Sequence, residues 1–180
     1  MITLGELRDR PERAAELGGG AVLLAASGPG EVLVCDAPRA REATLIFRHE
    51  TIQMMKAERV DATDKLLAVV GPQSSVVPII KRPESIWENV TVGRTETADI
   101  VIDDPAISSV HAHFSVDYDE HLVSVEDLGS SNGTFLNRMP LQPHEPASLR
   151  AGDCLRFGQS VFYFVTKSML ESILGRTREE

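Results

Sequence analysis

Arg94 follows Gly93 directly, and Ser108-Ser109, His111, His113 and the polar run from Asp127 to Thr134 come shortly after it. A guanidinium carries several N–H donors in a fixed plane, the geometry that suits phosphate or carboxylate oxygens. In isolation an arginine at the end of a strand reads equally well as half of a surface ion pair. Asn132-Gly133 is likewise a good tight-turn dipeptide on its own. His111 and His113 are two apart and would share one face of a strand, but no suitably spaced third ligand accompanies them, so a metal site is not expected. The features that nucleophilic or phosphoryl-transfer catalysis needs are missing. There is no Gly-rich phosphate loop with its lysine, no nucleophile elbow and no helical His-Glu zinc motif. The chemistry these residues offer is binding, with no catalytic residue, cofactor or metal expected.

Elements that would position these residues follow from periodicity. From Leu66 onward, short β-rich runs recur between turn residues: 66–70, 76–80, 90–92, 100–102, 111–116, 122–125, 134–136, 147–149, 155–157 and 161–165. Such spacing predicts a mainly β chain folded as a sandwich. After the last run, Ser168 precedes Met169, Leu170, Ile173 and Leu174, an apolar face at helical spacing that Gly175 would close. Upstream, Thr3 with Glu6 matches a capping box, and Asp9 is placed to cap Arg10 to Leu17 before Gly18-Gly19-Gly20. Ala21–Ala26 and Glu31–Asp36 flank Ser27-Gly28-Pro29-Gly30 in the manner of a hairpin. Thr44–Phe47 reads as a strand, whereas Glu50–Val60 fits either a helix or an irregular connection. The resulting division is an N-terminal extension over 1–65, a sandwich over 66–167, and a C-terminal helix with its tail over 168–180. The extension is too small for a robust core of its own, so docking on the sandwich is its default.

Bulk properties narrow the function further. The 180 residues carry a net charge of −9, the reverse of the basic footprint that neutralises a nucleic-acid backbone or an anionic membrane. Cys35 and Cys154 sit far apart in apolar runs and read as reduced, buried hydrophobes. Met1–Leu17 is charged and broken by Pro11, and no apolar run approaches the length of a membrane span, so the expected location is cytoplasmic. Arginine outweighs lysine and alanine is abundant, a composition of GC-rich bacterial genomes.

Taken in order, Gly93-Arg94, Ser108-Ser109-Val110-His111-Ala112, Asp127-Leu128-Gly129-Ser130-Ser131-Asn132-Gly133-Thr134, Gly152-Asp153 and Phe157-Gly158 resemble the forkhead-associated (FHA) domain over about 66–166. The resemblance implies an eleven-stranded β-sandwich whose loops at one end grip a phosphothreonine peptide. It implies that Arg94 and Ser108 meet the phosphate, that Ser131 helps shape the pocket, and that Asn132 fixes the peptide main chain. Ser109 stands where many members carry Arg or another larger polar residue, so a second phosphate contact would be shorter and uncharged here. His111 would brace the loops through hydrogen bonds, with Gly93, Gly129 and Gly133 as backbone devices. Threonine selectivity is implied by the family pocket alone. Partner choice is implied to run partly through the position of Ala106, and Asp103 and Asp104 nearby would repel an acidic peptide residue. The implied partner is a phosphothreonine protein, a Ser/Thr protein kinase or its substrate. The alternative use of the same fold is phospho-independent assembly, as a scaffold or homo-oligomer.

Overall fold

The computed structural model describes residues 2–17, 21–25, 62–67, 69–117 and 122–176. Within them, alternation decides the architecture. In the strand Ala112–Asp117 (β6) Ala112 and Phe114 are buried while Ser115 is exposed, so one side faces a core. β6 lies antiparallel to Leu122–Asp127 (β7), with Phe114 opposite Val125 and Ala112 opposite Asp127. Val90–Gly93 (β4), Ile100–Val101 (β5) and Ala147–Ser148 (β10) complete a five-stranded sheet in the order β10-β7-β6-β4-β5.

The facing sheet has seven strands. Ile2–Thr3 (β1), Val22–Ala25 (β2), Ser75–Pro78 (β3), Thr134–Leu136 (β8), Met139–Pro140 (β9), Cys154–Phe157 (β11) and Ser160–Val165 (β12) are ordered β1-β3-β2-β12-β11-β8-β9. The described residues thus make a β-sandwich of twelve strands. Between the sheets lies one core, with Leu23, Val92, Phe114, Leu155, Phe157 and Phe164 among its buried members. Phe157 meets Phe114 edge to face, ring centroids 6.2 Å apart, an arrangement favoured by the ring quadrupoles.

A second core covers the outer side of the seven-stranded sheet. Period two along β12 sends Phe162 and Phe164 inward and Tyr163 and Val165 outward. The outward set is covered by helices Leu4–Asp9 (α1), Ala62–Leu67 (α2) and Lys167–Arg176 (α3), and by a 3-10 helix over Pro11–Leu17. On α3, Met169, Leu170 and Ile173 form the buried stripe. α1 carries the capping box read from sequence: Glu6 N–H donates to Thr3 Oγ1 at 3.3 Å and Thr3 N–H to Glu6 Oε2 at 2.9 Å.

Several readings change. The run 66–70, expected as a strand, begins inside α2, and Val70 N–H donates to the Leu66 carbonyl at 2.9 Å. Its apolar residues do not alternate, and Leu66 and Val70, one helical turn apart, both enter the second core. Asp9 ends α1 and does not cap the next segment. α3 begins at Lys167, so Ser168 lies inside it, and Gly175 is also within it with nothing within 4 Å of a methyl group placed there. The expected hairpin partner Glu31–Asp36, the loop 27–30, the strand Thr44–Phe47, the segment Glu50–Val60 and Cys35 lie outside the described residues. Over Val22–Leu24 both edges of β2 are already taken: Leu23 is opposite Val77 on β3 and Phe164 on β12.

Candidate functional site

Three loops gather at one end of the sandwich: residues 94–99 after β4, 102–111 before β6, and 128–133 between β7 and β8. They are tied by main-chain groups before any ligand is considered. Arg94 N–H donates to the Ser108 carbonyl at 3.0 Å, and Gly158 N–H, just after β11, donates to the Gly133 carbonyl at 3.0 Å. Gly93 is required by close approach. A Cβ there would lie 2.1 Å from the Ser109 carbonyl oxygen, so any side chain would push β4 away from the 102–111 loop.

Ser108 is the meeting point. Its carbonyl accepts from Arg94, its N–H donates to His111 Nδ1 at 3.1 Å, and its Oγ accepts from Ser131 N–H at 3.1 Å. With Oγ already accepting, the hydroxyl hydrogen has no acceptor among the described residues and is free to donate outward. Arg94 is exposed; its Nε donates to the Ile107 carbonyl at 3.2 Å, which fixes the plane of the guanidinium. The terminal nitrogens of Arg94 have neither an ion pair nor a hydrogen-bond partner among the described residues. Ser109 is exposed, and its carbonyl accepts from Thr95 Oγ1 at 3.0 Å. Asn132 is exposed, with its Nδ2 donating to the Ala106 carbonyl at 2.8 Å, which leaves its side-chain oxygen outward.

His111 is fully buried, edge-on to Phe157 at 5.8 Å between ring centroids. Because Ser108 N–H donates to Nδ1, that nitrogen is unprotonated, and Nε2 carries the hydrogen toward the Gly133 carbonyl at 3.2 Å. The ring is therefore a neutral strut between two loops. Burial pushes its pKa below the usual histidine value, against the raising pull of the Gly133 carbonyl and the Asp127 carboxylate.

Asp127 has a role that sequence reading did not give it. Its Oδ1 accepts from Gly129 and Ser130 N–H, both at 2.9 Å, and its Oδ2 from Ser130 Oγ at 2.7 Å and Thr134 Oγ1 at 2.6 Å. Burial would raise its pKa, but these bonds outweigh it and hold the carboxyl below the ordinary carboxylate value. Gly133 takes a φ of 73°, the left-handed turn that lets the loop enter β8. An aspartate two and three residues ahead of free N–H groups is an Asx-turn pattern, so this organiser was visible in principle. Asp104 is similarly engaged: Ser160 Oγ donates to Oδ2 at 2.6 Å and Ala106 N–H to Oδ1 at 2.8 Å, which hold its carboxyl below the ordinary range. Of the two acids expected to repel a peptide, Asp103 is the exposed one.

Arg94, Ser108, Ser109, Ser131 and Asn132 therefore stand on adjoining loops at one end, with Gly93, His111 and Gly133 beneath them. Among the described residues no group of three His, Cys, Asp or Glu side chains is placed to hold a metal ion, and no helix is long and apolar enough to cross a membrane.

The chain was compared with known proteins. A family model described as FHA domain matches residues 90–158. The oxoglutarate dehydrogenase inhibitor of Corynebacterium efficiens is 30% identical over 135 residues, covering 69% of this chain and 88% of that protein. The glycogen accumulation regulator GarA of Mycobacterium tuberculosis is 29% identical over 134 residues, 69% of this chain and 80% of that one. A crystal structure of the MEK1 FHA domain with a phosphothreonine peptide of HOP1 is 31% identical, covers 52% of this chain and 89% of that chain, and has a TM-score of 0.43. The family-model match over 90–158 and the 30% identity to the Corynebacterium efficiens protein across 88% of its length lead to one assignment: the chain belongs to the forkhead-associated (FHA) domain family.

Proposed function

We propose that this protein is a phosphothreonine-peptide reader that acts in Ser/Thr kinase signalling by holding a phosphorylated partner, without catalysis. Two observations support the reading: the outward guanidinium of Arg94, and a Ser108 hydroxyl whose acceptor side is already filled by Ser131 N–H. Together they offer convergent donors to one phosphate group, while Asn132 presents an amide oxygen to a peptide main chain. Ser109 adds a neutral hydroxyl where a second cation would strengthen the grip. The relatives bear the names of a metabolic regulator and a dehydrogenase inhibitor. Regulation of a partner by binding is the corresponding role here, with a bacterial Ser/Thr kinase as the enzyme that marks the partner and the cytoplasm as the place.

The test is titration of a phosphothreonine peptide library, with phosphoserine and unphosphorylated counterparts, into the wild type and Arg94→Ala. A charge-assisted hydrogen bond is worth about 1.5–3 kcal/mol, so the variant should bind roughly ten- to more than a hundredfold more weakly. Equal binding of phosphorylated and unphosphorylated peptides would replace this reading with phospho-independent assembly.

A further inference from the structure

On the outer side of the seven-stranded sheet, beyond the part covered by helices, an open cleft of about 230 Å³ is lined by Phe135, Arg138, Cys154, Arg156 and Val161. Three features make it a site. First, Arg156 is held in place: its guanidinium stacks 3.6 Å from the centre of the Phe135 ring, and its Nη1 donates to the Gly158 carbonyl. Second, Arg138 is placed at a conformational cost. Asn137 and Arg138 form the turn between β8 and β9 with φ of 48° and 69°, a pair of left-handed positions that an Asn-Gly dipeptide fills without strain. An arginine in the glycine position gives up stability, and such strain marks functional sites when nothing local requires it. Third, neither arginine has a carboxylate partner among the described residues, although the chain as a whole is acidic, with 27 Asp and Glu against 18 Lys and Arg.

The cleft also adjoins the loop site. Gly158, whose carbonyl receives Arg156, donates its N–H to Gly133 at 3.0 Å, and a Cβ on Gly133 would lie 3.3 Å from the Phe135 ring. At roughly 3.3 Å per residue along β8, Phe135 lies about 7 Å from Gly133, and Arg138, in the turn that follows Leu136, lies less than about 17 Å from it. We propose that this cleft is a second oxyanion subsite, taking an Asp or Glu side chain of the partner whose phosphothreonine is held at the Arg94 loops. The inference rests on the phosphothreonine reading of those loops. Planar guanidinium groups suit a carboxylate, and the Phe135 ring with Val161 gives its aliphatic stem an apolar floor. The distances set the register: about two to five residues of extended partner segment span the stretch from Gly133, at the end of the loop site, to the cleft.

The experiment captures random phosphothreonine peptides of about 20 residues, whose extended arms span roughly 33 Å to each side, on the full chain, on Arg138→Gly and on Arg94→Ala. Arg138→Gly suits the turn better than the native residue, so loss of folding does not complicate it. The wild type should enrich Asp or Glu at a fixed number of residues from the phosphothreonine. Arg138→Gly should retain phosphate-dependent capture, lose that enrichment, and bind the best acidic peptide about fivefold more weakly, as removal of a partly exposed ion pair implies. Phosphate-dependent capture with the same residue preferences in wild type and Arg138→Gly overturns the subsite and leaves the loop reading standing. Capture that ignores phosphate and survives Arg94→Ala overturns both.

Discussion

His111 allows a prediction with two independent readouts. Replacing it by alanine removes the acceptor of Ser108 N–H and the donor to the Gly133 carbonyl, and leaves a void beside Phe157. The Gly133 carbonyl keeps its bond from Gly158 N–H, so Ser108 N–H is the group left without a partner, at a cost of about 1–3 kcal/mol. With lost ring packing added, the variant should be destabilised by about 3–6 kcal/mol, a large share of the roughly 5–15 kcal/mol that holds a domain folded. Acid should act on the same strut. The folded chain keeps His111 below the ordinary value of 6.5, so as pH falls below 6.5 the unfolded chain takes up a proton that the folded chain refuses. This contribution is fully present above 6.5 and is lost on descending toward the lowered folded value, at no more than about 1.4 kcal/mol per pH unit. Protonation at Nδ1, which the folded chain reaches only around its lowered value, would set two donors face to face with Ser108 displaced first, so phosphopeptide affinity should fall at lower pH than stability does. Urea denaturation of wild type and His111→Ala across this range measures the effect. A cost under about 1 kcal/mol, or an acid slope that persists unchanged in the variant, would refute the reasoning.

Other substitutions test the frame around the site. Gly93→Ala places a methyl group 2.1 Å from the Ser109 carbonyl and should lower stability by about 1–3 kcal/mol, seen in thermal melts, while parting Arg94 from Ser108. Asp127→Asn keeps the shape and an acceptor oxygen for the Gly129 and Ser130 N–H groups, but sets an NH2 donor against the Ser130 and Thr134 hydroxyls, which must turn to accept; a loss of roughly 1–2 kcal/mol in urea is expected, with weaker peptide binding. Since Asp127 is held below its ordinary 3.8, its contribution is present above that value and is lost as pH falls through the lower folded value, so Asn should flatten this acid limb. Thr3→Ala removes the capping box of α1 and should cost about 0.5–2 kcal/mol by the same melts.

Local pattern carried the parts of the fold that depend on near neighbours. Thr134–Leu136 was legible to the residue, and β6, β7 and β12 to within two residues, because alternation and turn dipeptides bound them. The capping box was legible for the same reason. β1 and β9, two residues each, were not read, whereas β5 and β10, equally short, fell within the apolar runs 100–102 and 147–149. The run 66–70 misled because an apolar stretch without alternation suits a strand or a buried helix equally. At the site, Arg94, Ser108, Ser131 and Asn132 were named from motif, but the bonds that tie them from loop to loop span 13 to 26 residues, and no local pattern records such pairings. The link from Asp104 to Ser160 spans 56 residues and was missed entirely. The strain at Arg138 was also hidden, since sequence shows the dipeptide but not its dihedral angles.

β2 lies between β3 and β12, and Ala25 is opposite Phe162, a separation of 162 − 25 = 137 residues. During synthesis the ribosome releases β2 early, and its apolar Val-Leu-Leu-Ala edge must wait until nearly the whole chain has emerged before β12 can cover it. An open apolar edge invites pairing with other nascent chains. Closure of this sheet is thus a late event set by chain length, and a fragment beginning at the family match would be born without three slats, β1, β2 and β3, and with an open edge on β12.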